Sequence, residues 1–156
     1  MEDELFEEFY AVGFERVFRA TLVSCGDRSL AEDAAQEAFA RALERWDHLC
    51  AEPWALGWVM TTAMNFARRA HRPPPSTGIS FGPHQVDLDA SIDLWRAVRS
   101  LPRRQQEALA LAYVADLPLE QAARVMGCKV GTVKVHMWRA RQAIARLGVV
   151  SQFESG

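Results

Sequence analysis

The sequence holds little from which a covalent or metal-based site could be built. It has three cysteines, Cys25, Cys50 and Cys128, far apart and without a Cys-x-x-Cys pair, so they read as buried thiols and not as a disulfide or zinc framework. His48, His71, His84 and His136 share no ligand spacing with them, and no metal site is expected. A nucleophile–base pair and a phosphate-cradling glycine loop are both missing, which argues against an enzyme; no catalytic residue and no cofactor is expected. No apolar run approaches the roughly 20 residues of a membrane span. Met1-Glu2-Asp3-Glu4 has neither the basic region nor the apolar stretch of a signal peptide, so the expected location is the cytoplasm, without membrane insertion. Segments of strand period and internal repeats are also lacking, which leaves an all-α chain. With 156 residues, 49% of them apolar, the chain can form one compact domain or two small ones.

The net charge of −2 is small for a nucleic-acid binder, but the charge is segregated. Thirteen acids face five arginines between Met1 and Met60, a net of −8. Between Thr61 and Arg72 the only charges are Arg68, Arg69 and Arg72, and from Leu101 onward eight bases face four acids. An acidic front and two separate basic patches suggest one protein partner and two nucleic-acid contacts.

The most informative stretch runs from Leu117 to Leu147. Leu119, Ala122, Ala123 and Met126 recur at helical spacing and stop at Gly127. A second periodic run opens at Val130-Gly131-Thr132-Val133-Lys134 and carries Val133, Met137, Ala140, Ile144 and Leu147 on one side. Two helices joined by a tight Gly-containing turn read as a helix-turn-helix. The outer face of the second is basic, with Lys134, His136, Arg139 and Arg141, and Arg146 beyond. In such motifs the N-terminal part of the second helix enters the major groove. Lys134 to Arg141 covers about 10 Å of helix axis, which suits a groove about 12 Å wide. An ordinary helical hairpin with a solvated basic face is the bland alternative; the DNA reading leads.

Upstream, Glu2 to Ser24 reads as a helix or a helical pair with a broad apolar stripe (Leu5, Phe6, Phe9, Val12, Val17, Phe18, Leu22), kinked at Gly13. Ser29-Leu30-Ala31-Glu32 has the form of a capping box and starts a second helix running toward Trp46. Its polar strip, Asp33, Gln36, Glu37 and Arg41, reads by itself as a solvated face. After a loop from Asp47 to Glu52, Pro53 sits as the first residue of a helix reaching His71. That helix combines Trp54, Trp58, Val59, Met60, Met64 and Phe66 with Asn65, Arg68, Arg69 and Arg72. Such aromatics serve a core, or with arginines hold single-stranded bases. Pro73-Pro74-Pro75 and the polar stretch after it read as a flexible linker that spans at most about 55 Å when extended. Asp89 to Arg99 and a segment opened by Pro102 complete the helices. The expected architecture is two small helical domains on a tether: residues 1–72, linker 73–88, residues 89–148, and a tail 149–156.

In this order the parts resemble bacterial alternative sigma factors of the extracytoplasmic-function (ECF) group, over nearly the whole chain. Asp33-Ala34-Ala35-Gln36-Glu37-Ala38-Phe39 with Arg41-Ala42 resembles region 2.2 of that group, and Trp58-Val59-Met60-Thr61-Thr62-Ala63-Met64-Asn65 its regions 2.3 and 2.4. Leu101-Pro102-Arg103-Arg104-Gln105 is similar to the start of region 4, and Gly127 to Lys134 with Arg139-Ala140-Arg141 to its recognition helix. The resemblance implies a promoter-specificity subunit. Asp33, Gln36, Glu37 and Arg41 would dock on the β′ clamp of core RNA polymerase, with region 4 on the β flap. The Trp46-to-Glu52 loop and Asn65 would capture a flipped base of the minus-ten element, Arg68, Arg69 and Arg72 would hold phosphates, and Trp58 would support the melted edge. Lys134 and Arg139 would read the minus-thirty-five element, with Thr132 and Arg141 on phosphates and His136 beside them. An anti-sigma factor is a further implied partner. Val135 and His136 depart from the Ser and Arg common in the group, which points to an unusual, partly apolar upstream readout. Two rivals stay open: a stand-alone helix-turn-helix regulator reading palindromic half-sites, and a sigma-like protein that occupies polymerase without reading promoters.

Overall fold

A computed structural model describes residues 2–70 and 92–147, and these are helical throughout apart from short turns. The expected linker 73–88, Arg72 and the tail 149–156 lie outside the described residues. The front half comprises α1 (Glu2–Cys25), α2 (Arg28–Glu44), α3 (Trp46–Leu49) and α4 (Ala55–Ala70). The back half comprises α5 (Ile92–Arg99), α6 (Arg103–Leu109) continued by a π-helical turn (Ala110–Val114), α7 (Leu119–Met126) and α8 (Val130–Arg146).

α1 is one continuous helix and does not break at Gly13. A methyl there would stand 3.0 Å from Leu56 Cδ1 and 3.3 Å from Phe39 Cζ, so Gly13 marks where α1, α2 and α4 approach closely. Aromatic side chains of α1 fill the space around that crossing. Phe9 lies 5.0 Å from Trp46 and Tyr10 5.1 Å from Phe39, ring centre to ring centre, while Phe6 meets Trp46 edge-on at 5.4 Å. α2 answers with small residues: Ala31, Ala34, Ala35, Ala38 and Ala42 are buried around the one large side chain, Phe39. Alanines at this spacing let helices pack with little side-chain entropy lost.

Three local expectations shift. The N-cap of α2 is Asp27, whose Oδ1 accepts from the Leu30 N–H at 3.1 Å, and not Ser29; Gly26, with φ at 73°, ends α1 and delivers Asp27 to that position. Helix α4 starts two residues after Pro53, which sits in the preceding turn. The expected loop after Trp46 is partly the short helix α3, with Trp46 and Leu49 both buried. Of the cysteines, Cys25 is buried, Cys128 half-buried and Cys50 exposed, so the thiol expectation holds only for the first; burial pushes the Cys25 thiol up from its ordinary range.

The front and back halves do not stand apart. One contiguous apolar cluster runs from Val17 through Met60 and Leu111 to Ile144, with α1 packed on α6 and on the π turn, and α4 on α7. Arginines tie off helix C-termini whose last carbonyls have no intrahelical donor. Arg16 donates from Nε and Nη2 to the Ala115 carbonyl (2.9 and 2.6 Å), Arg99 from Nη1 to the Val23 carbonyl (2.8 Å), and Arg104 from Nη2 to the Met126 carbonyl (2.7 Å). The bonds from Arg16 and Arg99 cross between the halves.

Candidate nucleic-acid interface

α7 and α8 form the helix-turn-helix. Gly127 takes φ 70° and caps α7, with the Cys128 N–H donating to the Ala123 carbonyl at 3.0 Å, and α8 begins three residues later. Val133, Met137, Ala140 and Ile144 are buried, as the apolar period requires. Leu147 lies one residue beyond α8 and is exposed, because the helix ends before that stripe reaches it.

The exposed face of α8 has an organisation the basic residues alone do not convey. At about 100° per residue, Val135, Trp138 and Gln142 occupy its centre, opposite the buried stripe. Lys134 and Arg141 flank them on one side, Thr132, Arg139 and His136 on the other. Trp138 is 60% exposed and Val135 45%, an uncommon placement for large apolar side chains. Trp138 was missing from the sequence reading, although the angle it makes with Val133 and Met137 is legible there. An apolar centre with cationic rims is suited to base edges in a groove flanked by two phosphate strands. Lys134, Arg139 and Thr132 are exposed. Arg141 is half-buried and lies 5.9 Å over the Tyr113 ring, so it stands at the flank. His136 is half-buried; burial first, then Arg104 and Arg139, pulls its pKa below the ordinary histidine value, with Glu107 opposing.

The second basic patch is on α4. Asn65, Arg41, Thr62, Phe66, Arg69 and Ala70 line an open groove of about 370 Å³ between α2 and α4, with Arg69 exposed at its rim. Trp58 is half-buried with Arg45 stacked 5.9 Å from its ring. Arg68, expected on phosphate, is engaged internally. It donates to Asn65 Oδ1 at 2.9 Å and forms a two-pronged pair with Glu107 of α6, at 3.3 and 3.0 Å. Trp46 is removed from any base-capturing role by burial against Phe6 and Phe9. On α2, Asp33, Gln36 and Arg41 are exposed, and Glu37 is held by Arg41 at 2.9 Å. The groove thus joins Arg41, expected at the polymerase, to Asn65 and Arg69, expected at the promoter.

Comparison with known proteins agrees with this layout. The family model for sigma-70 region 2 matches residues 15–73, and that for sigma-70 region 4 matches residues 91–144. The ECF sigma factor BldN of Streptomyces coelicolor is 29% identical over 94% of this chain, which spans 61% of BldN; the ECF sigma factor SigM of Bacillus subtilis is 26% identical over 90% of this chain and 93% of its own length. The sigma factor RpoE of Bartonella quintana, solved in complex with the anti-sigma factor NepR, superposes with a TM-score of 0.75 over 97% of this chain and 100% of RpoE at 22% identity, a likeness of fold. The chain belongs to the ECF group of the sigma-70 family of RNA polymerase sigma factors.

Proposed function

We propose that this protein binds core RNA polymerase and directs it to two-part promoters, acting as an initiation factor and not as an enzyme, in the cytoplasm where polymerase works. The observation that carries the proposal is the pairing, on one chain, of an outward helix-turn-helix face and a cation-rimmed groove beside the exposed α2 strip. Residues 89–148 read the minus-thirty-five element, with Lys134 and Arg139 at the rims of α8, Val135 and Trp138 toward thymine methyl groups, and Thr132, His136 and Arg141 flanking. Residues 1–72 serve the minus-ten element through Trp58, Asn65, Arg68, Arg69 and Arg72, with the α2–α4 groove accepting an unstacked base. Asp33, Gln36, Glu37 and Arg41 dock on the β′ clamp, region 4 on the β flap, and residues 73–88 bridge the two. An anti-sigma factor is a further partner, by analogy with the NepR complex of the Bartonella protein.

The test is a pull-down of core polymerase by wild-type protein and by the Gln36→Ala/Glu37→Ala pair, followed by run-off transcription with Lys134→Ala/Arg139→Ala. Capture weakened by the first pair and transcription abolished by the second are expected. Absence of capture by a cognate core enzyme would return the reading to a stand-alone regulator. Transcription insensitive to Lys134 and Arg139 would indicate a polymerase occupant that does not read promoters.

A further inference from the structure

Thr62, Asn65, Phe66 and Arg69 recur at intervals of three and four residues, which sets them in one stripe along α4. That stripe forms the α4 wall of the open groove, and Arg41 reaches the same space from α2. Most of the polar groups there have a fixed hydrogen-bonding sense. Arg41 and Arg69 are guanidiniums, which donate and never accept. Thr62 spends its hydroxyl proton on the Trp58 carbonyl at 2.9 Å, so it offers lone pairs.

Asn65 decides the balance. A free amide presents a donor or an acceptor by turning over, and so reads either kind of base edge. Here its orientation is fixed from outside the groove. Arg68 Nη1 donates to Asn65 Oδ1 at 2.9 Å, and since a guanidinium has no acceptor, only the oxygen can face it. The bond is charge-assisted, and it uses a different nitrogen from those that meet Glu107. The Nδ2 hydrogens are left for the groove. The positive charge beside Oδ1 repels an amino group that approaches that oxygen.

We infer that the groove selects a base carrying a ring carbonyl (thymine, cytosine or guanine) and rejects adenine, with Arg68 as the positioning residue that sets this choice through Asn65. A carbonyl oxygen meets the Asn65 N–H, with Arg41 and Arg69 adding positive potential around it. Adenine has an amine and no carbonyl. The pairing that an amide makes with it accepts from N6 while donating to N7, and needs the oxygen that Arg68 holds. Thr62 does not discriminate, because every base has an N–H for it to accept. The inference rests on the base-capturing role proposed for this groove; the orientation of the amide does not.

Adenine and hypoxanthine have nearly the same shape and differ in carrying an amine or a carbonyl at C6, so they isolate the effect. Each is placed as the single base in a short fluorescein-labelled strand of abasic sites, where it has no neighbour to unstack from. Anisotropy at low salt then reads binding to the full chain. Hypoxanthine should bind on the order of tenfold tighter than adenine, the scale of one well-matched base contact. Arg68→Lys, still a donor without an acceptor, should keep that ratio. Arg68→Gln, which donates or accepts, lets the amide turn and should bring the ratio close to unity. Asn65→Asp, whose second oxygen accepts where the amide donated, should reverse the order.

An equal or adenine-favouring ratio in the wild-type chain overturns the inference, as does a ratio that Arg68→Gln leaves intact. If Arg68→Gln loses helicity by circular dichroism, Asn65→Asp decides. Binding no tighter than that of the fully abasic strand, with either base, would defeat the base-capturing role and the inference with it. Failure to capture core polymerase would defeat the sigma reading without touching the ratio.

Discussion

Single side chains on α8 divide into those that hold the helix and those that face outward, and burial separates them. Trp138 contributes little to packing at 60% exposure, so Trp138→Ala should change stability by no more than about 0.5 kcal/mol. Its loss should weaken promoter binding by the polymerase complex about tenfold, the scale of one base-edge contact, with core capture unchanged. Electrophoretic mobility shift beside a thermal melt reads both. His136 should make stability pH-dependent. Burial and the neighbouring Arg104 and Arg139 lower its pKa in the fold, so the unfolded chain binds the proton more readily. Stability should therefore be full at neutral pH and fall as pH drops below about 6.5 and on through the lowered folded value, and His136→Gln should blunt that fall in denaturant titrations. The basic residues of α8 were legible in the sequence; the half-buried seating of His136 and Arg141 was not, since it depends on Arg104 and Tyr113 from elsewhere in the fold.

At the level of elements, the turn of the helix-turn-helix depends on one backbone conformation. Nothing lies within 4 Å of a methyl placed on Gly127, so Gly127→Ala costs only its left-handed φ, roughly 1–2 kcal/mol by urea denaturation. In the front half the aromatic stripe of α1 closes over Phe39, which meets Phe9, Tyr10 and Phe14 at 5.6, 5.1 and 5.8 Å. Phe39→Ala should cost about 3–5 kcal/mol and reduce recovery of folded protein, measured by chemical denaturation. Periodicity placed α1, α2, α4, α7 and α8 close to their observed spans. It misplaced the cap of α2, because Asp27 and Ser29 are both good caps and only the position of the αL residue Gly26 selects between them. The resemblance counted Trp46 in a base-capturing loop; its burial is decided by Phe6 and Phe9, some forty positions away, and no local pattern carries that.

Across the whole molecule, charge segregation in the sequence anticipated the exposed α2 strip and the two basic faces, but not their mutual arrangement. Arg68 shows the difference. In the sequence it is one of three cations at a helix end; in the fold it is paired with a buried acid of the other half. High salt should loosen that arrangement, since the arginines that make its contacts are only part-buried and their charges are open to screening. Scattering from the wild-type chain should show a larger radius in high salt than in low salt, and less change in Glu107→Gln.

The sequence by itself determined the all-α class, the helix-turn-helix, the order of the family's motifs and the residue types on each face. Local period, turn chemistry and charge are sufficient for those, because each is encoded within a few turns of chain. The tertiary structure alone decided which of the cations are free. Glu107 reaches Arg68, Arg16 reaches the Ala115 carbonyl and Arg99 the Val23 carbonyl only when helices remote in sequence pack together, and no local pattern encodes a contact of that range.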